Sequence, residues 1–548
     1  MRSNFFVIGL FFYVTTLTLW ANTPLTLDFF KDKPQCLAKD FYIYSYLERP
    51  ETTPEEANQL FGMVYLMNMR FFYLFAEKMD NEDFKKISKC LKMDITALLK
   101  EDDHECLSIG MSVSKATSLP KSQLKILMEK MRFNREFSRL LTLMSKENVF
   151  NALIQEDAHT FLTLFNGSIS AYKEAVLNHP IPAAKMNALS QSSKFNAFVN
   201  TVIQNDKLTL VQKSLLHVEP SSHVNAKALF LLGLNALKYK DKKQAIRFFE
   251  LSNERATKRE AKDKALFWQY LVTKDKHYLQ TMMESYDINI YTLYAHEILN
   301  MPIKNIVSPS FEGNHPTFDV SDPFAWPKEM EKISKMSADE IASEANTFKF
   351  ANTLPHYSYL MERVMRYQAN FYPIPYPEYI SDYSNQRKAL MLAIARQESR
   401  FLPSVVSTSY ALGMMQFMPF VARDIAKKEH LENFALEAMF NPHIAYLFAN
   451  IHLNFLERNL MHPVLIAYAY NGGIGFTKRL LQGGELFQKG PYEPFRSMEL
   501  VSYEESREYG KKVLANYVVY MTLLGEDVSI KNLFENLLIP SRSDHFRN

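Results

Sequence analysis

The strongest constraint on this chain is how little of it can be anything but helix. From about residue 25 to 300, apolar residues recur at helical spacing in successive segments of ordinary length, such as Ala57–Lys78 and Leu124–Met144, separated by short polar breaks. The 548 residues include only 15 glycines and show no sustained apolar/polar alternation, so the many tight turns of a sheet-rich protein are not provided for. The spacing predicts a mainly α protein, and a chain of this length exceeds one ordinary hydrophobic core, so two or three domains are expected.

Within the helical tract a repeat emerges. Lys227-Ala228-Leu229-Phe230 recurs as Lys264-Ala265-Leu266-Phe267, and Lys240-Asp241-Lys242 recurs as Lys274-Asp275-Lys276. In the first copy Gly233, Ala236, Tyr239, Ala245 and Phe248 are spaced like the small and large packing positions of a tetratricopeptide-like helix pair, a unit that stacks into a solenoid. Plain helical packing accounts for the same residues and stays open. Prolines then cluster at Pro302, Pro309, Pro316, Pro323 and Pro327, and again at Pro373, Pro375 and Pro377, with two or three helices expected between them over 328–370. The expected organisation is a signal peptide over 1–21, an α-superhelical domain over 22–300, a helical linker domain over 301–380 and a last domain over 381–548.

The first of these segments rests on Arg2 and the uncharged apolar run Phe5–Trp20, closing at Ala21 before Asn22-Thr23-Pro24, which is the layout of a secretory signal. A single membrane anchor is the rival, though the run falls short of the roughly 20 residues a spanning helix needs. Of the three cysteines, Cys36, Cys90 and Cys106, the last two are closest in sequence; a disulfide and buried small apolar residues fit equally, and one thiol must stay unpaired within the chain. A formal net charge of +3 is too small for a dedicated nucleic-acid binder, and a mild basic excess suits an anionic polymer. No His-Glu-x-x-His or paired Cys-x-x-Cys pattern and no phosphate-cradling glycine loop occurs in the sequence, so no cofactor is expected.

The chemistry concentrates near residue 398. Seven apolar residues, Ala389 to Ala395, predict a helix buried on most sides, and Arg396-Gln397-Glu398-Ser399 ends it. A carboxyl carried inward at the C-terminal end of a helix meets two influences that oppose ionisation, the loss of water and the partial negative charge of the helix end. Both raise its pKa, the condition for a general acid working near neutral pH. A Glu after an apolar helix is usually only its first solvated residue; the surrounding motifs weigh against that here.

Glu398-Ser399-Arg400-Phe401 is followed fifteen residues after Glu398 by Gly413-Met414-Met415-Gln416-Phe417-Met418-Pro419, then by Ala469-Tyr470-Asn471, and then by Glu499-Leu500-Val501-Ser502-Tyr503-Glu504-Glu505-Ser506-Arg507-Glu508-Tyr509. This ordered set resembles the soluble lytic murein transglycosylase family, whose patterns are Glu-Ser, Gly-Leu-Met-Gln-x-Met-Pro, Ala-Tyr-Asn and Glu-Leu-Ile-Pro-Tyr-x-Glu-Thr-Arg-x-Tyr. The resemblance is specific over roughly 385–520 and one of architecture before that, since larger members place an α-superhelix and a linker before a lysozyme-like catalytic domain. It implies Glu398 as sole catalytic acid/base, with Ser407, Gln416, Met418, Tyr470, Asn471 and Glu505 on the sugar-binding groove. Each of these has a plainer alternative: Ser407 a turn hydroxyl, Gln416 a helix cap, Met415 and Met418 core, Tyr470 a packed aromatic, Asn471 a bond to local backbone beside Gly472-Gly473. Three positions depart from the pattern: Tyr410 where a glycine is usual, Gly473 where Ala-Gly is usual after Asn, and Ser502 in place of Pro. They bear on groove shape more than on chemistry.

The resemblance implies non-hydrolytic cleavage of the β-1,4 bond between N-acetylmuramic acid and N-acetylglucosamine to 1,6-anhydromuramyl products, in periplasmic cell-wall remodelling, with the enzyme exported and near the wall or outer membrane. The expected partners are peptidoglycan glycan strands, with the superhelix open to other cell-wall enzymes, and no nucleic acid. Two other readings stand beside it: a lysozyme-like muramidase, in which water attacks and Glu505 is the motif-borne candidate for a second carboxylate, and a non-catalytic peptidoglycan-binding scaffold.

Overall fold

The computed structural model describes residues 25–547, so the expected signal segment 1–21 lies outside the described residues. The protein is mainly α, as the periodicity requires. Among the described residues the only strands are the two-residue Ile306–Val307 and Asn370–Phe371, paired in parallel. No helix among them is long and apolar enough to cross a membrane. The chain divides into two compact units, one of residues 80–283 and one combining the N-terminal residues up to 79 with 284 onward.

In the unit 80–283, helices pack on their neighbours in sequence, as Ala226–Lys238, Lys242–Arg255 and Arg259–Thr273 do in turn. Asparagine side chains tie each layer to the next at a spacing of about 30 residues. Asn178 Oδ1 accepts from Leu210 N at 3.1 Å, Asn187 Oδ1 from Glu219 N at 2.8 Å and Asn196 Oδ1 from Asn225 N at 2.9 Å. These bonds satisfy backbone donors that a break between helices would otherwise leave bare. The small positions of the repeat mark close helix crossings: a Cβ on Gly233 would meet the Phe249 ring at 2.4 Å, and Ala236, Ala245 and Phe248 are fully buried. Cys90 and Cys106 form a disulfide, which the sequence had left open, and Cys36 is a buried free thiol in the other unit.

Two helices expected as single pieces are broken. Ala57–Lys78 is interrupted between Pro54–Phe61 and Met69–Lys78, and Leu124–Met144 between Lys121–Lys130 and Arg135–Ser145. In the first case buried Asp40 accepts from Tyr65 N at 2.7 Å and Leu66 N at 2.9 Å, and Asn68 caps the next helix. In the second Asn134 caps the restart. The apolar period runs on across both breaks, so periodicity alone does not reveal that side-chain acceptors outcompete the helix for these amides.

The unit that carries Glu398 is built in layers. Helices Ala325–Ile333, Ala338–Ala345 and Leu354–Val364, the helices expected over 328–370, close a small core of Trp326, Ile333, Ile341, Phe348 and Leu360, which Leu402 joins. Beyond it, Asn385–Ser399 and Pro463–Gly472 both pack on the long helix Glu504–Leu523. Pro419, Pro442 and Pro463 each open a helix, where a fixed φ helps and a missing N–H loses nothing. A Cβ on Gly510 would meet the Tyr468 ring at 2.2 Å, so that glycine sets how closely Glu504–Leu523 approaches Pro463–Gly472.

Candidate active site

Ala389 to Ala395 are all buried, and their helix ends at Ser399. Glu398 therefore emerges from the core with its side chain only partly exposed and its carboxyl enclosed by protein on most sides. Burial pushes that carboxyl up from its ordinary 4.5 to about 7; a hydrogen bond from Tyr509 works in the opposite direction, and the charge of Glu505 adds to the rise. Tyr509 Oη donates to Glu398 Oε1 at 2.7 Å. Burial first, and Glu398 second, hold the Tyr509 phenol well above its ordinary range, so it stays a neutral donor.

Tyr470 completes the enclosure. Its pKa too is raised by burial and then by Glu398, and its hydroxyl donates to Met415 O at 2.8 Å. Asn471 is clamped: its Nδ2 donates to Glu505 Oε1 at 3.2 Å, while its Oδ1 accepts from Ser506 Oγ at 2.6 Å. His452 packs edge-on to Tyr470, and burial lowers its pKa to about 4, so it is a neutral ring at physiological pH.

The loop that follows the Glu398 helix is fastened to it. Ser399 Oγ donates to Met414 O at 2.8 Å. Gly413 has a φ of 73°, and a Cβ there would lie 2.0 Å from Met439 O, so this turn admits only glycine. Gln416, itself at φ 51°, donates from Nε2 to Gly413 O at 2.7 Å and to Val405 O at 3.3 Å. Ser407 Oγ accepts from Ala411 N at 3.0 Å within its own turn. Met415 is fully buried core, while Met418 is partly exposed at the start of helix Pro419–Lys428.

The structure thus gathers Glu398, Tyr470, Asn471 and Glu505 into one cluster, with Gln416 one residue from the carbonyl that Tyr470 holds. Ser407 and Met418 lie on the same loop, and among the described residues neither is hydrogen-bonded to that cluster. Tyr509 escaped selection at the sequence level although it ends the fourth motif; its spacing of four from Glu505 puts both on one face of their helix, and that was the available signal. The helix is held from behind by a buried group: Lys511 Nζ contacts Glu499 Oε2 at 3.0 Å, and Tyr291 Oη donates to Glu499.

Tyr410, the departure from the glycine pattern, has a φ of 65° yet is buried. Its ring packs against Phe41, Tyr44 and Phe71, and Arg70 donates to Ser409 O at 3.0 Å. The backbone conformation that favours glycine is kept, and a docking contact with the N-terminal helices is added.

Residues 376–485 match the family model Transglycosylase SLT domain, so the region that presents Glu398 is an SLT domain. Over 161 residues the chain is 30% identical to a putative soluble lytic murein transglycosylase of Haemophilus influenzae, covering 28% of this chain and 26% of that one. Over 169 residues it is 24% identical to the soluble lytic murein transglycosylase of Escherichia coli K12, covering 30% and 26%. The matched stretch is thus about a quarter of the length of these curated relatives. The 70 kDa soluble lytic transglycosylase of Escherichia coli superposes with a TM-score of 0.48 at 15% identity, over 89% of this chain and 85% of that one.

Proposed function

We propose that this protein is a lytic murein transglycosylase that cleaves the glycan strands of peptidoglycan between N-acetylmuramic acid and N-acetylglucosamine. The observation that carries the reading is Glu398: a carboxyl delivered by a buried helix, raised to about 7 and bonded to a neutral phenol at 2.7 Å, inside an SLT domain. Near neutral pH such a group is partly protonated and returns readily to the carboxylate, as one residue serving as acid and then base requires.

Glu398 donates its proton to the glycosidic oxygen as the bond to C1 of the muramyl residue breaks, and N-acetylglucosamine departs with a free 4-hydroxyl. The muramyl N-acetyl carbonyl stabilises the positive charge developing at C1, which spares the enzyme a second carboxylate. Glu398, now ionised, takes the proton of the muramyl C6 hydroxyl as that oxygen bonds to C1. The 1,6-anhydro ring closes, no water is consumed and the acid is regenerated. Glu505 is exposed and engaged by Asn471, which supports a part in orienting and polarising the site over one as nucleophile. Tyr470, Gln416, Asn471 and Glu505 line the groove in this reading, with Ser407 and Met418 further along it.

The setting is the periplasm, in cell-wall remodelling. The Cys90–Cys106 bond suits an oxidising compartment, and the leader-like N-terminus agrees. The division at 22–300, 301–380 and 381–548 is part of the same proposal.

The test is mass spectrometry of muropeptides released from purified sacculi by the full chain and by Glu398→Gln. Anhydromuramyl ends, lighter by one water, are expected from the wild type, with at least a 10²-fold loss in the variant. Hydrated reducing ends would make the protein a muramidase, and retained release by the variant would remove Glu398 from the chemistry.

A further inference from the structure

We infer that Glu362, which lies outside the matched SLT region, is a positioning residue that fixes the end of the Glu398 helix. The inference rests on the reading of Glu398 as the acid/base. Glu362 sits on helix Leu354–Val364 and is 3% exposed. Its two carboxylate oxygens reach two different arginines: Oε1 lies 3.2 Å from Arg396 Nη2, and Oε2 accepts from Arg400 Nη1. These arginines stand two residues before and two after Glu398, Arg396 inside the last turn of the helix and Arg400 as its left-handed C-cap, so they bracket the acid along the chain. One buried carboxylate therefore ties together the two sides of the turn that carries the proton.

The grip acts where the backbone needs it. Arg400 and Phe401 have φ of 54° and 67°, left-handed values that residues with a Cβ adopt only under restraint. Arg400 N closes on Arg396 O and Phe401 N on Ala395 O, so the reversal begins at Arg400, one residue beyond Ser399 and two beyond Glu398. Arg396 is locked further, with Nε donating to Phe371 O at 2.9 Å, Nη1 to Asn516 Oδ1 at 3.0 Å and its guanidinium 4.0 Å above the Tyr372 ring. Arg400 has more exposure, and the ion pair with Glu362 adds a side-chain tie to Arg396 beside the backbone bond between them. Without Glu362, the turn carrying Glu398 loses that side-chain tie and two guanidinium charges lose their counter-ion.

Two effects follow. Misplacement of the acid lowers the chemical step more than it lowers sugar binding. The charge change is also expected to move the titration of Glu398, whose carboxyl is faced by Tyr509 and Glu505 of the long helix and by Tyr470, while Arg396 and Arg400 stand two residues away along the chain and act on it only from that distance. Glu362→Gln leaves the arginines in excess and favours the carboxylate, whereas Arg400→Gln removes a positive charge and favours the acid.

The experiment compares full-length wild type, Glu362→Gln, Glu362→Asp and Arg400→Gln, reading kcat and KM on soluble glycan strands across pH, and 13C NMR titration of the Glu398 carboxyl. Glu362→Gln is expected to lower kcat about 10- to 100-fold at nearly constant KM. The Glu398 midpoint should move to lower pH in Glu362→Gln and to higher pH in Arg400→Gln, with Glu362→Asp recovering part of kcat. Wild-type kcat per folded molecule and an unmoved midpoint in both Gln variants would overturn the inference. Should Glu362→Gln not fold, the half-exposed Arg400 and the Asp variant decide. Should the wild type release no product, the function fails, while the NMR titration still tests the grip.

Discussion

The carboxyl of Glu398 makes two pH-dependent predictions of definite sign. As the acid form is the active one, cleavage should fall as pH rises through about 7. Tyr509 stabilises the ionised form, so Tyr509→Phe should shift this falling limb to higher pH; an unmoved limb in the rate profile would show that the phenol does not bond the reacting carboxyl. The folded protein also holds this proton more tightly than the unfolded chain does. Glu398 therefore contributes stability that is present below 4.5 and lost as pH rises to about 7, by up to about 3 kcal/mol. Glu398→Gln has no such loss, so above pH 7 it should be more stable than the wild type in denaturant titrations, and the difference should vanish near pH 4.

At the scale of elements, Tyr410 sets two effects of known size against each other. Tyr410→Gly relieves a left-handed backbone, a gain of about 1–2 kcal/mol, and empties an aromatic cluster, a loss of about 3–5 kcal/mol if the site behaves like other large aromatic truncations. The loss is larger, so restoring the family's usual glycine should destabilise this protein by about 2 kcal/mol; a stabilised variant in chemical denaturation would show that the docking of Phe41, Tyr44 and Phe71 adds nothing. The loop from Gly413 to Met418 makes the complementary point. Its course is fixed by Ser399, Met439 and Tyr470, three contacts distant in sequence, so a motif legible as seven letters owes its shape to groups outside it.

For the molecule as a whole, the disulfide and the acid lie in different units. Closing a loop of 16 residues stabilises a fold by about 3 kcal/mol in the chain-entropy account. A Cys90→Ala, Cys106→Ala pair should lower the calorimetric transition of the unit 80–283 and leave that of the Glu398 unit in place. Movement of both together would mean the two units unfold as one.

Much of this was legible in the residues themselves. Helical period and scarce glycine determined the fold class because both act over a few residues, and the Ala389–Ala395 run determined that Glu398 is delivered from a buried helix, because seven apolar residues have nowhere else to go. Tertiary structure alone decided what distance in sequence conceals: that Asp40 breaks a helix by taking two of its amides, that Tyr509 is the group on the acid, and that Glu362 ties together the two arginines that bracket it along the chain. Periodicity records which side of a helix avoids water. Which polar group meets which depends on how those sides pack, and a buried hydrogen bond or ion pair leaves no period in the chain.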